Sequence, residues 1–257
     1  MKALITGASS GIGRDMAVLF AKKGIDLVLV ARRVERLEVI RRHFEGKVDI
    51  KVIQADLSDE KQVISLYEQT KEDNIDILVN NAGFGACEYF YSGSLDNDLK
   101  MIRTNVVAVH ILTKLFLKDF VSRDSGFILN VASSAAFFPG PLMATYYSTK
   151  SYVYKMTESV WEELKSSGSH VHISVLCPGP VSTEFNRVAN VNFGIPGLKS
   201  REVAEYAAAC MFSGKRVIIP GILAKAAHIV SGIIPEKILM KSVYGFQKIK
   251  LSRNNNK

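Results

Sequence analysis

The sequence predicts an α/β domain built on a doubly wound parallel sheet of about seven strands, with helices on both faces. Short apolar runs alternate with amphipathic segments of helical length along most of the chain. These runs are almost continuously apolar, which is typical of parallel strands that are buried on both faces. The length of 257 residues fits one large domain of this kind.

Seven apolar runs are the candidate strands. In chain order they cover residues 3–5, 27–30, 50–53, 77–79, 127–131, 173–176 and 217–219. The segments between them contain the predicted helices, among them residues 12–22, 33–44, 59–71, 95–121 and 144–166. Because crossovers between parallel strands are right-handed, ligand sites are expected at the carboxyl ends of the strands.

The sequence predicts a single α/β domain over residues 1–220 and a basic amphipathic helical extension of it over residues 221–257. In the extension, apolar residues recur at helical spacing and Pro235 interrupts them. They are Ile222, Leu223, Ala226, Ile229, Val230, Ile233, Ile234, Leu239, Val243, Phe246 and Ile249. Two accounts are open: helices packed on the body or on another subunit, or an interfacial element that docks on anionic lipid or admits an apolar substrate.

The net charge of +8 resides in the same part of the chain. Residues 214–257 contain nine Lys and Arg residues and one acid, Glu236, whereas the remainder contains 24 basic and 24 acidic residues. Because the body has no basic excess, the charge does not indicate a general nucleic-acid-binding surface. The basic extension is compatible with a peripheral membrane contact.

The cysteines and the apolar runs bear on the location of the protein. Cys87, Cys177 and Cys210 form no CxxC pair, and no His lies at zinc-ligand spacing, so we expect free thiols and no metal site. No signal peptide is expected, and no apolar run approaches the roughly 18 residues of a membrane span. These features favour the cytoplasm.

The first strand is followed by the segment TGASSGIG at residues 6–13, which also opens the first helix. Gly7 allows a tight turn, Gly11 lets the backbone approach a phosphate, and Gly13 permits close packing of the helix on the strand. The free N–H groups and the positive dipole of the helix then face a pyrophosphate. An isolated match would be a plain glycine turn, but its position indicates a Rossmann-type dinucleotide site.

The end of the second strand indicates which dinucleotide binds. A carboxylate there would accept hydrogen bonds from the adenosine ribose of NAD, but this strand is followed by Arg32 and Arg33. Two guanidiniums suit a 2′-phosphate, which favours NADP(H). The alternative is that both arginines only lead into the basic helix over residues 33–42.

Asp56, at the end of the third strand, is placed to contact the adenine ring. Its alternative role is the N-cap of the helix predicted over residues 59–71. An N-cap side chain accepts a backbone hydrogen bond from the first helical turn, and Ser58 is the better candidate for that position.

Tyr146 and Lys150 are four residues apart on a predicted helix, which brings a phenol and an ammonium to one helical face. The ammonium favours the phenolate, so the hydroxyl should exchange protons nearer neutral pH than its ordinary pKa of about 10. An isolated pair of this kind usually forms a solvated face. Here Ser133 stands thirteen residues before the tyrosine, and the glycine-rich segment and Asn80-Asn-Ala-Gly83 precede both.

Together these segments resemble the short-chain dehydrogenase/reductase family, in its single-domain branch. The motifs occur in the family's order: TGxxxGxG at 6–13, NNAG at 80–83, TNV at 104–106, NVASS at 130–134, YxxxK at 146–150 and CPG at 177–179. The resemblance covers residues 2–220. More narrowly, residues 132–147 are similar to a bacterial subgroup of largely uncharacterised NADP-dependent oxidoreductases.

The resemblance implies a catalytic tetrad of Asn105, Ser133, Tyr146 and Lys150. Tyr146 would be the general acid in reduction and the base in oxidation, while hydride moves between nicotinamide C4 and a carbonyl or secondary alcohol carbon. Ser133 would polarise the substrate oxygen. Lys150 would hold the nicotinamide ribose and lower the pKa of Tyr146. Asn105 would disrupt its helix locally and hold a water that links Lys150 to solvent.

The resemblance also implies the cofactor contacts. Asn81 and Gly83 would shape the wall beside the adenosine, and Val181 and Thr183 would contact the nicotinamide carboxamide. The full set expected to hold NADP(H) is Gly7, Ser9, Ser10, Gly11, Ile12, Gly13, Arg32, Arg33, Asp56, Leu57, Asn81, Ala82, Gly83, Tyr146, Lys150, Val181 and Thr183.

Two neighbouring residues compete for the catalytic positions. Ser134 adjoins Ser133, but the family's spacing of thirteen to the tyrosine selects Ser133 and leaves Ser134 a structural role in the turn. Tyr147 adjoins Tyr146, but the residue four positions further on is Ser151 rather than a lysine. Tyr147 is therefore expected to pack or to line the substrate entrance.

In relatives, the segment matching residues 183–199 is a flexible substrate loop. Its apolar residues here favour a hydrophobic small-molecule substrate, and ordinary packing on the body is an equally good account. They are Phe185, Val188, Val191, Phe193 and Ile195. The resemblance also implies a homodimer or homotetramer, formed through the helices predicted at residues 95–121 and 144–166.

Two other classes of function remain. A non-enzymatic NADP-binding regulatory protein on the same fold would be expected to lose the tyrosine or the lysine, and this chain keeps both. A membrane-surface or partner-binding protein would act mainly through its basic extension.

Overall fold

The computed structural model describes residues 1–189 and 197–255, and within them it contains nine strands and ten α-helices. The strands are β1 (Lys2–Thr6), β2 (Asp26–Ala31), β3 (Ile50–Gln54), β4 (Ile77–Asn80), β5 (Phe127–Val131), β6 (His172–Leu176), β7 (Val181–Ser182), β8 (Leu198–Lys199) and β9 (Val217–Ile218). The helices are α1 (Gly11–Lys22), α2 (Val34–His43), α3 (Glu60–Glu68), α4 (Leu95–Ile102), α5 (Ala108–Ser122), α6 (Ala144–Ser166), α7 (Phe185–Val188), α8 (Ser200–Phe212), α9 (Ile222–Ser231) and α10 (Glu236–Asn255).

Seven strands form one parallel sheet in the order β3-β2-β1-β4-β5-β6-β9, and β7 and β8 form a separate parallel pair. Each of the seven predicted apolar runs is a strand of the large sheet. The doubly wound α/β fold predicted from the sequence is therefore confirmed. The strand order switches direction between β1 and β4, and ligands of such sheets bind beside this point, at the carboxyl ends of the strands.

Helices cover both faces of the sheet because its strands are apolar on both sides. On one face, α1, α2 and α8 bury side chains such as Phe20, Leu37 and Met211. On the other face, α3, α5 and α6 bury side chains such as Leu66 and Phe116. Complete burial of one Leu or Phe side chain stabilises a fold by about 1.5–3 kcal/mol, so these two layers are the main source of stability.

The start of α3 corrects one prediction. Asp59 is the N-cap, since its carboxylate accepts a hydrogen bond from the Lys61 N–H at 2.9 Å. Ser58 is not the cap, because its own N–H and hydroxyl donate to Asp56 Oδ1 at 3.0 and 2.9 Å. A carboxylate that binds the backbone two residues further on forms a local turn, and this turn competes with capping by Ser58.

The helix predicted over residues 95–121 is interrupted in the structure. A π-helical turn over Arg103–Val107 joins α4 to α5, and Asn105 lies fully buried within it. Such turns insert one extra residue into a helix and occur frequently at functional sites. The turn gives the Asn105 amide partners outside its own helix, on Phe84 and Thr149.

A buried polar network ties the ends of β4 and β5 to the neighbouring helices. Asn80 Nδ2 donates to Thr113 Oγ1 on α5 at 3.0 Å and to Asn130 Oδ1 on β5 at 2.9 Å. Asn130 Nδ2 donates in turn to Thr157 Oγ1 on α6 at 3.0 Å. All four side chains are buried, where polar groups require partners. The network therefore fixes α5 and α6 relative to the edge of the sheet that carries the site.

Two helices form the C-terminal extension, with Pro235 between them. α9 packs through His228, whose ring centre lies 4.5 Å from that of Phe137. α10 packs through Gln247, which is fully buried and donates to the Tyr147 hydroxyl at 2.7 Å. Other apolar residues of the extension are exposed, namely Ile222, Leu223, Ile229, Ile233 and Ile238. Within residues 1–189 and 197–255, every helix is too short or too polar to traverse a bilayer.

Replacing Asn130 by Ala tests the buried network. The change removes an acceptor of Asn80 and the donor to Thr157 in a site without solvent, so we expect the free energy of unfolding to fall by about 1–3 kcal/mol. The control is Gln69→Ala, which removes an exposed hydrogen bond to Ser65 and should cost less than about 0.5 kcal/mol. Urea unfolding measures both variants, and equal losses would contradict the role of the network.

Candidate active site

The glycine-rich segment turns sharply between β1 and α1. Gly7 has φ +66°, in the left-handed region, and a Cβ there would lie 2.8 Å from Ala82 Cα. A Cβ at Gly13 would lie 2.3 Å from the Asn81 amide nitrogen, so the helix approaches β4 this closely only without a side chain. α1 therefore begins at the carboxyl edge of the sheet with no acidic residue in its first turn. Its free N–H groups fit an anionic group such as a pyrophosphate.

Asn81 and Ala82 hold this turn from the end of β4. The Asn81 amide donates to the carbonyl oxygens of Thr6 and Gly7 at 3.0 and 3.2 Å. The N–H groups of Asn81 and Ala82 both donate to Thr6 Oγ1, at 3.0 and 3.1 Å. The Asn81 side chain is therefore engaged within the glycine-rich turn, and its place in the wall beside the adenosine, which the resemblance implies, stays a prediction.

Arg33 reaches the glycine-rich segment from the end of β2. Its Nη2 lies 3.3 Å from Ser9 Oγ and 3.4 Å from Ser10 Oγ, and 2.8 Å from Glu184 Oε2. Arg32 is exposed and forms no ion pair with any residue that the structure describes. A guanidinium beside two serine hydroxyls suits a phosphate ester. Sequence reasoning missed Glu184, because it is 151 residues away from Arg33 and no local pattern connects them.

Few side-chain groups are available to a ligand at Asp56, Leu57 and Ile12. One carboxylate oxygen of Asp56 is occupied by Ser58, as described above. The Leu57 side chain is buried in the core on the α3 side of the sheet, and Ile12 packs against the core on the α1 side. Leu57 and Ile12 therefore present mainly backbone groups to a ligand.

Tyr146, Lys150 and Ser133 meet at the carboxyl end of β5. Tyr146 and Lys150 lie one turn apart on α6, and both are buried. Lys150 Nζ donates to the Val131 carbonyl at 2.9 Å and lies 5.9 Å from the centre of the Tyr146 ring. Ser133 Oγ accepts from the Ala135 N–H at 3.1 Å, and the Ser133 hydroxyl lies close enough to the Tyr146 hydroxyl to act on its pKa.

Asn105 and Gly83 adjoin this group. The Asn105 amide accepts from the Phe84 N–H at 3.1 Å, donates to the Phe84 carbonyl at 2.9 Å, and donates to Thr149 Oγ1 at 3.1 Å. A Cβ at Gly83 would lie 2.9 Å from Asn105 Oδ1 and 3.3 Å from Lys150 Nζ. Gly83 thus lies beside Asn105 and Lys150, and its place in the wall beside the adenosine, which the resemblance implies, stays a prediction.

Burial dominates the protonation of the catalytic group. Removal from water raises the pKa of Tyr146 to about 12, against the opposing effect of the hydrogen bond with Ser133. The same cause lowers the pKa of Lys150 to about 8. The sequence predicted that Lys150 lowers the pKa of Tyr146, but here burial outweighs the ammonium, which is directed at the Val131 carbonyl. Tyr146 therefore carries its proton at neutral pH.

The segment from Val181 to Phe185 runs from the glycine-rich turn to the catalytic tyrosine. Val181 is buried in β7. A Cβ at Gly11 would lie 3.0 Å from Thr183 Cγ2, so the absence of a side chain at Gly11 lets the two segments meet. The Phe185 ring centre lies 5.3 Å from that of Tyr146. This segment therefore contacts both ends of the candidate cofactor site.

The surroundings of Tyr146 are mainly apolar. The buried members of this cluster are Cys87, Met101, Ala135, Leu142, Met143, Tyr146 and Ala189, with Phe185 among those packed against it. Of the other residues in the predicted substrate loop, Val188 is exposed, and Val191, Phe193 and Ile195 lie outside the described residues. The cluster forms an apolar setting for the proton of Tyr146.

The two competing neighbours have other partners. Ser134 begins a short 3₁₀ turn, and its N–H donates to the Pro178 carbonyl at 2.9 Å. The Tyr147 hydroxyl accepts from Gln247 Nε2 at 2.7 Å, and its ring centre lies 6.1 Å from that of Tyr146. Sequence reasoning also missed Gln247. The one feature that could have indicated it is that a polar residue stands there beside the apolar stripe of the extension.

In the described part of the chain, no group of three or more His, Cys, Asp or Glu residues is placed to hold a metal ion. Cys177 lies in the core next to the catalytic group. Burial raises the pKa of its thiol, so Cys177 is neutral at physiological pH.

Comparison with known proteins places this arrangement in a family. The family model described as short chain dehydrogenase matches residues 1–192. The chain belongs to the short-chain dehydrogenase family. An uncharacterised oxidoreductase of Staphylococcus saprophyticus is 36% identical to this short-chain dehydrogenase over 184 residues, covering 71% of this chain and 74% of the relative.

Two further matches include one curated relative and one solved structure. The 17-beta-hydroxysteroid dehydrogenase type 3 of Homo sapiens is 36% identical over 198 residues, or 74% of this chain. The match spans 62% of that relative, so the chain covers about three-fifths of its length. A short-chain dehydrogenase from Sphingobium yanoikuyae in complex with NADPH superposes with a TM-score of 0.81 at 30% identity, covering 91% of this chain and 96% of that chain.

Tyr146→Phe and Tyr147→Phe test the assignment of the catalytic tyrosine. Tyr146→Phe keeps the ring but removes the transferable proton, so turnover should fall by at least about 100-fold while NADPH binding survives. Tyr147→Phe removes only the partner of Gln247, so it should lower the free energy of unfolding by about 1–3 kcal/mol with a much smaller effect on turnover. Steady-state kinetics on an accepted carbonyl compound and fluorescence titration of NADPH measure these effects. Similar turnover in the two variants would show that the register is wrong.

Proposed function

We propose that this short-chain dehydrogenase is an NADP(H)-dependent oxidoreductase that moves a hydride between nicotinamide and a carbonyl or secondary alcohol carbon of an apolar small molecule. The observation that carries the proposal is the meeting of the buried Tyr146 and Lys150 with the partly exposed Ser133 at the end of β5. Asn105 completes the set through the π-helical turn. Because the chain keeps all four residues, an enzyme is favoured over a non-enzymatic NADP-binding regulator.

Several groups support binding of a phosphorylated dinucleotide. The first N–H groups of α1 and the hydroxyls of Ser9 and Ser10 suit the phosphates, and Arg33 suits the 2′-phosphate. Thr183 lies against Gly11, and it would contact the nicotinamide end of the cofactor. When bound, the nicotinamide supplies or accepts the hydride.

In the reductive direction, Tyr146 donates its proton to the substrate oxygen as hydride adds to the carbonyl carbon, so that C=O becomes CH–OH. Ser133 donates a hydrogen bond to the same oxygen and stabilises the negative charge that develops there. Because burial raises the pKa of Tyr146 to about 12, the residue holds its proton at neutral pH. In this protonation state Tyr146 is able to act as the general acid of reduction.

Lys150 and Asn105 support the tyrosine. Lys150 carries a positive charge below its lowered pKa of about 8, and it would hold the hydroxyls of the nicotinamide ribose. The charge also stabilises the phenolate left after proton donation. Asn105 keeps the neighbouring backbone of Phe84 and the Thr149 hydroxyl in place around this ammonium.

The substrate is proposed to be largely apolar. The cluster around Tyr146 contains Met101, Leu142, Met143 and Phe185, and pockets for small molecules are mostly lined by such side chains. The name of the human relative indicates a hydroxysteroid, which is also a bulky apolar alcohol or ketone. A screen of ketones of increasing size with NADPH tests this class, and activity confined to small polar carbonyl compounds would contradict it.

A peripheral membrane contact through the extension is a second role that one observation favours. Ile222 and Leu223 are 84% and 75% exposed, and they adjoin Lys225 on α9. Apolar side chains beside basic residues bind anionic bilayers, and each Lys or Arg near the surface contributes about 1 kcal/mol. An apolar substrate would then reach the protein from the same bilayer.

We also propose that the protein is a cytoplasmic homodimer or homotetramer. The α4–α5 and α6 helices carry exposed apolar side chains, among them Leu99, Ile102 and Tyr152, which suit contact with a second copy. Cys177 and Cys210 are thiols, as a reducing compartment would keep them. Light scattering of the purified protein tests the assembly, and a monomeric mass at micromolar concentration would contradict it. Microscopy of a tagged protein tests the location, and export from the cell would contradict that part.

The first prediction here concerns the cofactor. NADPH should bind at least about tenfold more tightly than NADH, a difference of about 1.4 kcal/mol. Replacing both Arg32 and Arg33 by Ala should remove most of this preference, because the guanidiniums are the groups proposed to bind the 2′-phosphate. Fluorescence titration measures both affinities, with Arg41→Ala, at an exposed pair with Glu38, as the control. Equal affinities in the unmodified protein would contradict the assignment.

The second prediction concerns pH. Lys150 is charged below about pH 8 and loses its proton as the pH rises through that value, so carbonyl reduction should be level from pH 6 to about 7.5 and fall above about 8. Tyr146 stays protonated throughout this range, since its pKa is about 12, so it causes no further change in the pH profile. The pH profile of kcat/KM measures this. A rate of reduction that rises from pH 7 to 9 would contradict it.

The third prediction concerns the extension. Full-length protein should float with phosphatidylglycerol vesicles at low salt, and Ile222→Ser combined with Leu223→Ser should reduce the bound fraction severalfold. The control pair is Val39→Ser with Ile64→Ser, two exposed apolar residues of the body that should leave binding unchanged. If the unmodified protein stays unbound, or both pairs behave alike, the extension has no membrane role.

A further inference from the structure

The Glu184 carboxylate forms ion pairs with two arginines at the start of α2. Glu184 Oε2 lies 2.8 Å from Arg33 Nη2, and Glu184 Oε1 lies 2.8 Å from Arg36 Nη1. Arg187 adds a longer contact of 3.7 Å. The first two pairs connect residues 151 and 148 positions apart, so they join the β2–α2 edge of the site to the segment that leads into α7.

The charge of this carboxylate is permanent at physiological pH. Hydrogen bonds from Arg36 and Arg33 lower the pKa of Glu184 to about 2. The same Arg33 nitrogen that meets the carboxylate also lies beside Ser9 Oγ and Ser10 Oγ. Glu184 is therefore bound to the guanidinium to which the proposed function assigns the 2′-phosphate.

Two anions at one guanidinium repel each other, whereas a neutral hydroxyl does not. The 2′-phosphate of NADPH carries negative charge at pH 7 and has to displace the Glu184 carboxylate from Arg33 or accept its repulsion. The 2′-hydroxyl of NADH is a neutral donor, which a carboxylate tolerates and can accept. The Glu184 carboxylate therefore weakens the binding of NADPH. It leaves the binding of NADH unchanged or strengthens it.

We propose that Glu184 is a specificity-determining residue for the cofactor: it competes with the 2′-phosphate for Arg33 and sets how strongly the enzyme prefers NADPH over NADH. The proposal rests on the NADP(H) site of the proposed function and names a residue that moderates it. Arg32, which has no ion pair with a described residue, is left available to the phosphate.

Cofactor binding, rather than turnover, is the informative readout. Phe185 follows Glu184 directly and packs on Tyr146, with ring centres 5.3 Å apart. Thr183 precedes it and touches Gly11. A change in turnover would therefore mix effects on the phosphate with effects on the catalytic tyrosine, whereas titration of cofactor fluorescence reports the competition alone.

The test compares Glu184→Gln with the unmodified protein in titrations of NADPH and NADH at low salt. Loss of the two partly exposed ion pairs with Arg33 and Arg36 frees both guanidiniums for the 2′-phosphate, so NADPH binding should tighten by about fivefold. The NADH affinity of the variant should either fall or stay within about twofold of that of the unmodified protein. The difference should shrink at high salt, because exposed charges are screened.

Two controls identify the cause. Glu202→Gln removes the same charge from an exposed pair with Lys199 and should leave both affinities unchanged. In an Arg33→Ala background, Glu184→Gln should lose most of its effect, since the carboxylate acts through that guanidinium. Circular dichroism verifies folding, and Glu184→Asp, a shorter carboxylate, supplies a second variant that should lie between the two.

The outcomes separate this proposal from the proposed function. If Glu184→Gln leaves NADPH binding unchanged or weakens it, Glu184 only packs or positions the arginines and the competition is refuted. If the unmodified protein binds both cofactors equally but Glu184→Gln gains a preference for NADPH, the competition stands and the NADP(H) preference of the unmodified enzyme is refuted.

Discussion

The arrangement of the candidate catalytic residues depends on burying one ammonium group. Lys150 is only 5% exposed, and its Nζ donates to the Val131 carbonyl at 2.9 Å. This contact fixes α6 against the end of β5, which sets Tyr146, one turn earlier, against Ser133, two residues after the strand. A neutral carbonyl compensates a buried charge only in part, and the pKa of Lys150 falls to about 8 as a result. The missing side chain at Gly83 leaves space for the same ammonium.

Much of this arrangement follows from local sequence. The strands were predictable because most of them are short and almost continuously apolar, and the helix over residues 144–166 has the bounds that were expected for it. Tyr146 and Lys150 share a helical face by spacing alone, and the carboxyl ends of parallel strands bring β1, β4 and β5 to one edge. The interruption at Asn105 was expected from the family resemblance, not from the residues of that helix.

Other features depend on contacts between distant parts of the chain. Glu184 and Gln247 meet partners that are 151 and 100 residues away, and no periodicity or spacing connects such pairs. The effect of burial on the pKa of Tyr146 was not predicted, since the sequence gives its distance along the helix from Lys150 but not the exclusion of water. The cap of α3 was misassigned for a related reason, because Asp56 takes the Ser58 hydroxyl for its own turn.

During synthesis, the parts of the candidate site emerge at different times. The chain emerges from its amino terminus, so the glycine-rich turn, Arg33 and the whole of α6 leave the ribosome before α10 does. Tyr147 precedes Gln247 by 100 residues, and its hydroxyl has to wait for that amide. The nascent chain can therefore form the glycine-rich turn while the wall beside Tyr147 is still open. Among the described helices, α10 emerges after all the others, and it is the one that covers the Tyr147 hydroxyl.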